Sequence, residues 1–337
     1  MPEADLKSNA GSAADAGYSY TTRQVPLVQL LKSGVLQWRR LRASAGDAGS
    51  EAQRRHFDGL IESIASVVDG PLKQQRVLEI GHGQLPTLLA HIAHLGNECT
   101  GIDVDVTPRG LLDLPGYLKI ARSNGPMRAA KSLGRELTGV NRSGRRRFMA
   151  ERGLLRWPEF RTMVMDATRM TFDDASFNLV YSTDVFEHLA DPEAGLREAK
   201  RVLRPGGGLW IRTLHYHHNN ALHDLRTITG ASNAPPPWAH LVEGQQGLVQ
   251  QGAFVNTYTP ADWRRAAGEI LPGATVKSLP PQNDAFAKAL ADLRAAGKLL
   301  DVPEEDLLAS HVLITWTKPQ KSEKPQESEK PQESATP

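Results

Sequence analysis

One cysteine, Cys99, stands in a chain of 337 residues. That scarcity excludes an internal disulfide framework and any cysteine-clustered metal site. Cys99 lies in the apolar-patterned run ECTGID, so it reads as a buried, inert thiol rather than a nucleophile. Uninterrupted apolar stretches of about 18 residues are also missing. The opening residues, MPEADLKSNAGSAADAG, have no basic start followed by an apolar core. Neither a membrane span nor a secretory signal is expected, and the expected location is cytoplasmic. What is present is an ordinary globular balance, 40 % hydrophobic with 23 % charged residues and a net charge of +2.

That small net charge hides an uneven distribution. Between Thr107 and Arg161 there are thirteen Lys and Arg against four Asp and Glu, a local net of +9, including Arg145-Arg146-Arg147. Both ends of the chain are polar. The first 21 residues are rich in Ala, Gly and Ser, and over 318–337 the unit SEKPQE starts at Ser322 and again at Ser328. Such segments bury too little apolar area to offset the entropy of ordering, so disorder is expected at both ends.

Between the ends, short β-rich runs alternate with helical patterns, which predicts an α/β fold with a parallel sheet covered by helices. Strands are expected near Arg76–Gly81, Glu98–Asp103, Thr162–Asp166, Phe177–Ser182 and Gly207–Thr213, with Ser310–Thr317 closing the sheet. Helical patterns at Gln24–Ala43 and Glu51–Val68 form an N-terminal helical extension over 22–70, ahead of a main domain over 71–317. Further helices are expected at Pro86–Leu95 and Pro192–Leu203. The 55 residues of 107–161 are too many for a simple crossover, so a basic helical insertion is expected there, patterned around Met127–Leu137 and Arg145–Leu155. The stretch 215–259, with its histidines and APPPW, reads as a loop-rich cover.

The turn after the first expected strand, RVLEIGHGQLPT, has two glycines as Gly81-x-Gly83 and no third. A dinucleotide fingerprint would place a glycine at Pro86, so a nicotinamide cofactor is disfavoured. Pro86 restricts Leu85 to extended geometry and suits the first turn of a helix, so proline can fix this loop. Asp103 follows Gly81 by 22 residues, ends the second strand, and is placed to accept hydrogen bonds from both hydroxyls of a ribose.

Four stretches in this order, Glu79-Ile80-Gly81-His82-Gly83, TGIDVD, VMDATRMTFDDASFNLVYSTDVFEHL and LREAKRVLRPGGGLWIRT, resemble the class I S-adenosylmethionine-dependent methyltransferases. The form of the last two is similar to the small-molecule, type 11-like branch. Leu85 departs from the family's usual third glycine. The resemblance implies a Rossmann-like, seven-stranded, mostly parallel sheet with flanking helices. It implies S-adenosyl-L-methionine as cofactor, held by Glu79, Gly81, Gly83, Asp103 on the ribose, Asp166 on the adenine amine, the Ala167 amide on a ring nitrogen, and Thr183. The expected activity is transfer of a methyl group to a small-molecule acceptor, at an oxygen of a sugar or secondary metabolite.

An oxygen acceptor needs a base, which contributes about a hundredfold or more, and histidine titrates in the useful range. His188, after the fourth strand, and His215 and His217, after the fifth, are the candidates. Strand alternation over HYHH would put two of His215, His217 and His218 on one side, but no carboxylate stands at a clear spacing and no metal is expected. The basic insertion reads either as a lid gripping an anionic acceptor or as a solvated helical face. Its aromatics are few, chiefly Tyr117, Phe148, Trp157 and Phe160, so nucleic acid is not the expected partner. Two alternatives remain open: an RNA methyltransferase that uses the insertion, and a non-catalytic binder of the same cofactor.

Overall fold

The computed structural model describes residues 47–320 apart from 106, 107, 109 and 282–284. The expected disordered start, the helix at Gln24–Ala43 and most of the repeat tail lie outside the described residues. The elements run as α1 (Asp47–Ala65), β1 (Arg76–Ile80), α2 (Thr87–His94), β2 (Glu98–Asp103), α3 (Leu114–Asn124), α4 (Pro126–Leu137), α5 (Val140–Glu151), β3 (Arg161–Val164) and β4 (Phe177–Thr183). They continue as α6 (Pro192–Val202), β5 (Leu203–Thr213), α7 (Leu225–Thr229), α8 (Pro260–Ile270), β6 (Thr275–Ser278), α9 (Ala285–Ala295), α10 (Glu304–Leu308) and β7 (Val312–Thr317).

The sheet has seven strands in the order β3-β2-β1-β4-β5-β7-β6. β1 to β5 are mutually parallel, and β7 runs antiparallel to both β5 and β6. The strand order reverses between β1 and β4, and in open α/β sheets ligands bind beyond the carboxyl ends of the strands at that reversal. The short strand β6 was not expected from the sequence, and it corrects the placing of the last strand. Ser310–Thr317 does not close the sheet, because β7 lies between β5 and β6. β6 is four residues of mostly exposed edge, with no buried apolar run to mark it. The Arg204-Pro205-Gly206-Gly207 segment belongs to the ladder. It forms the irregular start of β5, where the pairing jumps from Phe177↔Leu203 to Leu179↔Gly208. Pro205 offers no N–H to the ladder and Gly206 takes a positive φ of 75°, which accommodates the bulge.

Central strands are apolar on both faces because helices cover both. Leu78 and Ile80 of β1 pack with Leu196 and Val202 of α6 and Trp263 and Ile270 of α8. Val77 on the opposite face joins Leu89 and Ile92 of α2, Ile64 of α1, Tyr181 and Trp210. Trp210 also donates its indole N–H to Ser63 Oγ at 2.9 Å, which ties α1 to the sheet. A smaller cluster of Trp238, Val242, Leu290, Leu299 and Leu307 anchors the loop-rich cover to α9 and α10. α8 begins with a reciprocal cap: Thr259 Oγ1 accepts from Asp262 N, and Asp262 Oδ2 accepts from Thr259 N. Thr259→Ala removes one half of it and should lower stability by about 1 kcal/mol, read as a lower urea midpoint with an unchanged slope.

The basic insertion is three helices rather than the two that were patterned. Gly125, at φ 86°, followed by Pro126 separates α3 from α4, and left-handed Gly139 separates α4 from α5. Contacts with several elements fasten this insertion to the rest. Arg128 Nε lies 2.6 Å from Asp105 Oδ2, Arg152 Nη1 lies 2.7 Å from Asp58 of α1, and Phe148 meets His91 of α2 edge to face. Gln84, in the turn after β1, donates to Ser132 Oγ of α4.

Candidate functional site

The turn after β1 is shaped by two glycines with different tasks. Gly81 takes φ 80°, and a Cβ there would fall 2.1 Å from Val185 Cγ2. Only glycine lets the chain pass under Val185 at this point. Gly83 takes φ 61° and faces open space, and its amide donates to Asp103 Oδ2 at 2.9 Å. Asp103 Oδ1 accepts from the Asp105 amide, also at 2.9 Å. One carboxylate therefore couples the end of β2 to the glycine turn.

Leu85, where a third glycine would be usual, has a definite role. A Cβ on Gly144 of α5 would lie 2.5 Å from Leu85 Cδ2, so the leucine fits into a notch that glycine leaves in the insertion. Pro86 stands just before α2 as its cap residue rather than within its first turn, with φ −75°. Gln84 and Leu85 thus join the turn to α4 and α5.

Beyond the turn lies a cleft at the strand reversal. Ile102, Met165, Val185 and Leu189 supply aliphatic walls, Gly81 and Ala167 supply close backbone, and Asp103 is the one charged residue in its lining. This composition fits an adenosine. A flat ring suits aliphatic walls, and a carboxylate with about four acceptor positions, two of them taken by amides, keeps two for ribose hydroxyls.

Of the residues expected to hold a cofactor, Gly81, Asp103 and Ala167 line the cleft, and Gly83 reaches it through Asp103. Asp166 lies beside it, with Oδ1 accepting from both Thr168 N and Thr168 Oγ1 at 2.8 Å. Thr183 ends β4 in register with Arg212. Glu79 is apart from the lining: it sits in register with Tyr181, on the face that carries Val77, and is buried. Burial pushes its carboxyl up to about 8, and the Tyr181 hydroxyl beside it opposes that rise.

Those shifts predict an optimum in stability against pH. A carboxyl raised from 4.5 to about 8 on folding stabilises fully below 4.5, and that contribution is lost as pH rises to about 8. Burial lowers His91 and His215 from 6.5 to about 4, so their contribution is present above 6.5 and is lost as pH falls. Melting temperature should peak near pH 6.5 and fall on both sides, and Glu79→Gln should make the alkaline fall shallower without abolishing it, because burial also raises Glu187 to about 8.

The three histidines considered as bases separate. His188 lies in a single 3-10 turn, Phe186–His188, between the lining residues Val185 and Leu189, and its Nδ1 is 2.7 Å from Phe254 O. His215 is buried, with Nε2 3.2 Å from Ala309 O, and His217 Nδ1 is 3.7 Å from Asp306 Oδ2. The HYHH run lies beyond the end of β5 in a turn, so the strand alternation expected to put two histidines on one side is absent. Sequence reasoning missed Val185, Glu187 and His223. It also missed Asp184, whose carboxylate meets Arg212 at 2.5 Å and His311 at 3.2 Å. Burial opposes the charge of Asp184, but these two partners hold its carboxyl below the usual range.

The sheet order with one antiparallel strand, and the glycine turn facing an acid at the end of β2, form the Rossmann-like fold of the class I S-adenosylmethionine-dependent methyltransferases. The cofactor of that class is S-adenosylmethionine. Residues 120–211 match the methyltransferase domain family. Among curated proteins, the chain is 29 % identical over 121 residues to a demethylmenaquinone methyltransferase of Mycolicibacterium gilvum, covering 33 % of this chain and 53 % of that one. It is 39 % identical over 62 residues to cycloartenol-C-24-methyltransferase 1 of Oryza sativa subsp. japonica, 17 % of this chain and 18 % of that one. The chain spans about half the length of the demethylmenaquinone methyltransferases it matches. Among solved structures, phosphoethanolamine N-methyltransferase 2 of Haemonchus contortus, in complex with S-adenosylhomocysteine, superposes with a TM-score of 0.44 at 16 % identity, covering 79 % of this chain and 53 % of that one. No helix among the described residues is long and apolar enough to cross a membrane.

Proposed function

We propose that this protein transfers a methyl group from S-adenosylmethionine to an oxygen of a small-molecule acceptor. The observation that carries the reading is the Asp103 carboxylate at an apolar cleft, each oxygen holding one backbone amide and keeping capacity for one hydroxyl. Bound there, the donor supplies a methyl carbon that is already electrophilic. The chain's own part is alignment, worth several kcal/mol, and acceptance of the acceptor's proton. Gly81 and Val185 fix the position of the turn, and the aliphatic walls exclude water. His188, between Val185 and Leu189, is the base of this proposal. Burial lowers its pKa below 6.5, so the imidazole is neutral and able to take a proton near neutral pH.

Relatives named for demethylmenaquinone and for cycloartenol favour a small-molecule acceptor. The arginines of the insertion favour it too. Arg128, Arg147 and Arg152 are engaged with Asp105, Glu151 and Asp58, which leaves less positive surface for RNA than the sequence count implies. The test pairs two measurements on the full chain. Calorimetry with S-adenosylhomocysteine should show one site, and labelled donor with a cell extract should give a labelled small molecule. Binding without any labelled product would overturn the catalytic reading in favour of a binding protein. Labelled RNA would overturn the acceptor class.

A further inference from the structure

Outside the cleft, three potential ligands converge where no spacing in the sequence announces them. Glu187, His188 and His223 each offer one donor atom, and these atoms all lie within 4.8 Å of one another. We infer that they form a binding site for a single borderline first-row divalent cation of the zinc type.

The environment of each donor supports this. Glu187 is fully buried. Its Oε2 accepts from Thr213 Oγ1 at 2.8 Å, while its Oε1 has no hydrogen-bond partner although it is shielded from water. A buried carboxylate oxygen without a partner is costly, and a cation is one of the few partners that removes the cost. The Nδ1 of His188 lies 2.7 Å from Phe254 O, which assigns the proton to Nδ1 and the lone pair to Nε2, 4.0 Å from Glu187 Oε1. A backbone carbonyl that fixes the tautomer in this way is the usual support of a metal-bound histidine. The Nε2 of His223 is likewise buried without a hydrogen-bond partner, and its ring centre is 4.9 Å from that of His188.

The backbone holds these groups in place. His223 takes φ 53°, a left-handed conformation that a non-glycine residue adopts only where its surroundings impose it. Gly252 makes room for it, since a Cβ there would lie 2.1 Å from His223 O, and the Gly252 amide donates to Leu222 O. On the other side Asn256 braces the 3-10 turn, donating through its backbone to Glu187 O and through Nδ2 to Phe186 O and Leu189 O.

Two imidazoles and one carboxylate suit zinc and its first-row neighbours better than magnesium or calcium, which prefer oxygen ligands. Donors bound at about 2.1 Å in a tetrahedron stand about 3.4 Å apart, so the three groups need to close by about an ångström around an ion. Three protein ligands leave a fourth position open, and the turn bearing two of them lies between Val185 and Leu189 of the cleft. Resting on the methyl-transfer reading, that open position would hold the acceptor oxygen and lower its pKa so that its proton passes to water, with His188 then serving as a ligand in place of a base.

The test uses the full chain stripped with a chelator and then titrated with Co²⁺, followed by visible absorption and by competition with Zn²⁺. One equivalent should bind with a tetrahedral visible band that Zn²⁺ displaces. Glu187→Gln and His223→Gln should each weaken binding tenfold or more, whereas His94→Gln at an exposed helix position should not. His223 lies in an irregular loop, so its variant keeps the test valid even if the buried Glu187→Gln does not fold. No bound cobalt in the wild-type chain, or undiminished binding in His223→Gln, would overturn the inference. Calorimetry with S-adenosylhomocysteine on the stripped protein separates the two readings. Donor binding without metal binding removes only the metal site, and metal binding without donor binding removes the methyl-transfer reading.

Discussion

Asp103→Ala should lower the affinity for S-adenosylhomocysteine by about a hundredfold or more. Two hydroxyls bonded to a carboxylate are each worth about 1.5–3 kcal/mol, and 1.4 kcal/mol is tenfold. The substitution also releases the amides of Gly83 and Asp105, which Asp103 holds at 2.9 Å, so the glycine turn loses its tie to β2. Asp103→Asn separates the two effects. One amide oxygen still accepts from a backbone N–H, so the turn should remain largely ordered while ribose binding falls. Calorimetry on both variants checks this, and equal affinity in wild type and Asp103→Ala would remove Asp103 from the site.

Gly81→Ala should be the most destabilising small change in the turn. A residue with a Cβ at φ 80° costs about 1–2 kcal/mol, and overlap with Val185 Cγ2 at 2.1 Å adds about 1–3 kcal/mol. Val185→Ala in the same chain removes both γ-carbons and leaves only the Cβ, at 3.0 Å. It should therefore recover the overlap and leave the backbone strain. Urea unfolding of the two single variants and the double variant measures the coupling, which is expected to be favourable by 1 kcal/mol or more. Additive effects would mean that Val185 does not set the path of the turn.

The fold was legible in the sequence where burial is two-sided. β1, β2, β4 and β7 are short apolar runs bounded by turn residues, and α6 follows Asp191, which caps it. Edge structure was not legible. β6 buries too little to leave a pattern, and the Pro-Gly start of β5 has the composition of a turn although it lies in the ladder. The Asp103 corner of the cleft could be read because Asp103 and the glycines are set by local geometry at two strand ends. Three other features could not, for one physical reason: each is a contact between distant segments. Leu85 meets Gly144, Arg128 meets Asp105, and His223 meets Glu187 and His188 only through the path of a loop that carries no periodicity. The HYHH run misled in the opposite way, since four adjacent polar residues suggest a site, whereas the fold turns His215 and His217 toward Ala309 and Asp306.

The most direct test is a crystal structure with S-adenosylhomocysteine bound. It should place both ribose hydroxyls on the Asp103 carboxylate, the adenine between Ile102 and the Met165–Ala167 wall, and the sulfur toward Val185 and the turn that carries His188. Ligand found elsewhere, or a cleft that stays empty at saturating concentration, would contradict the account.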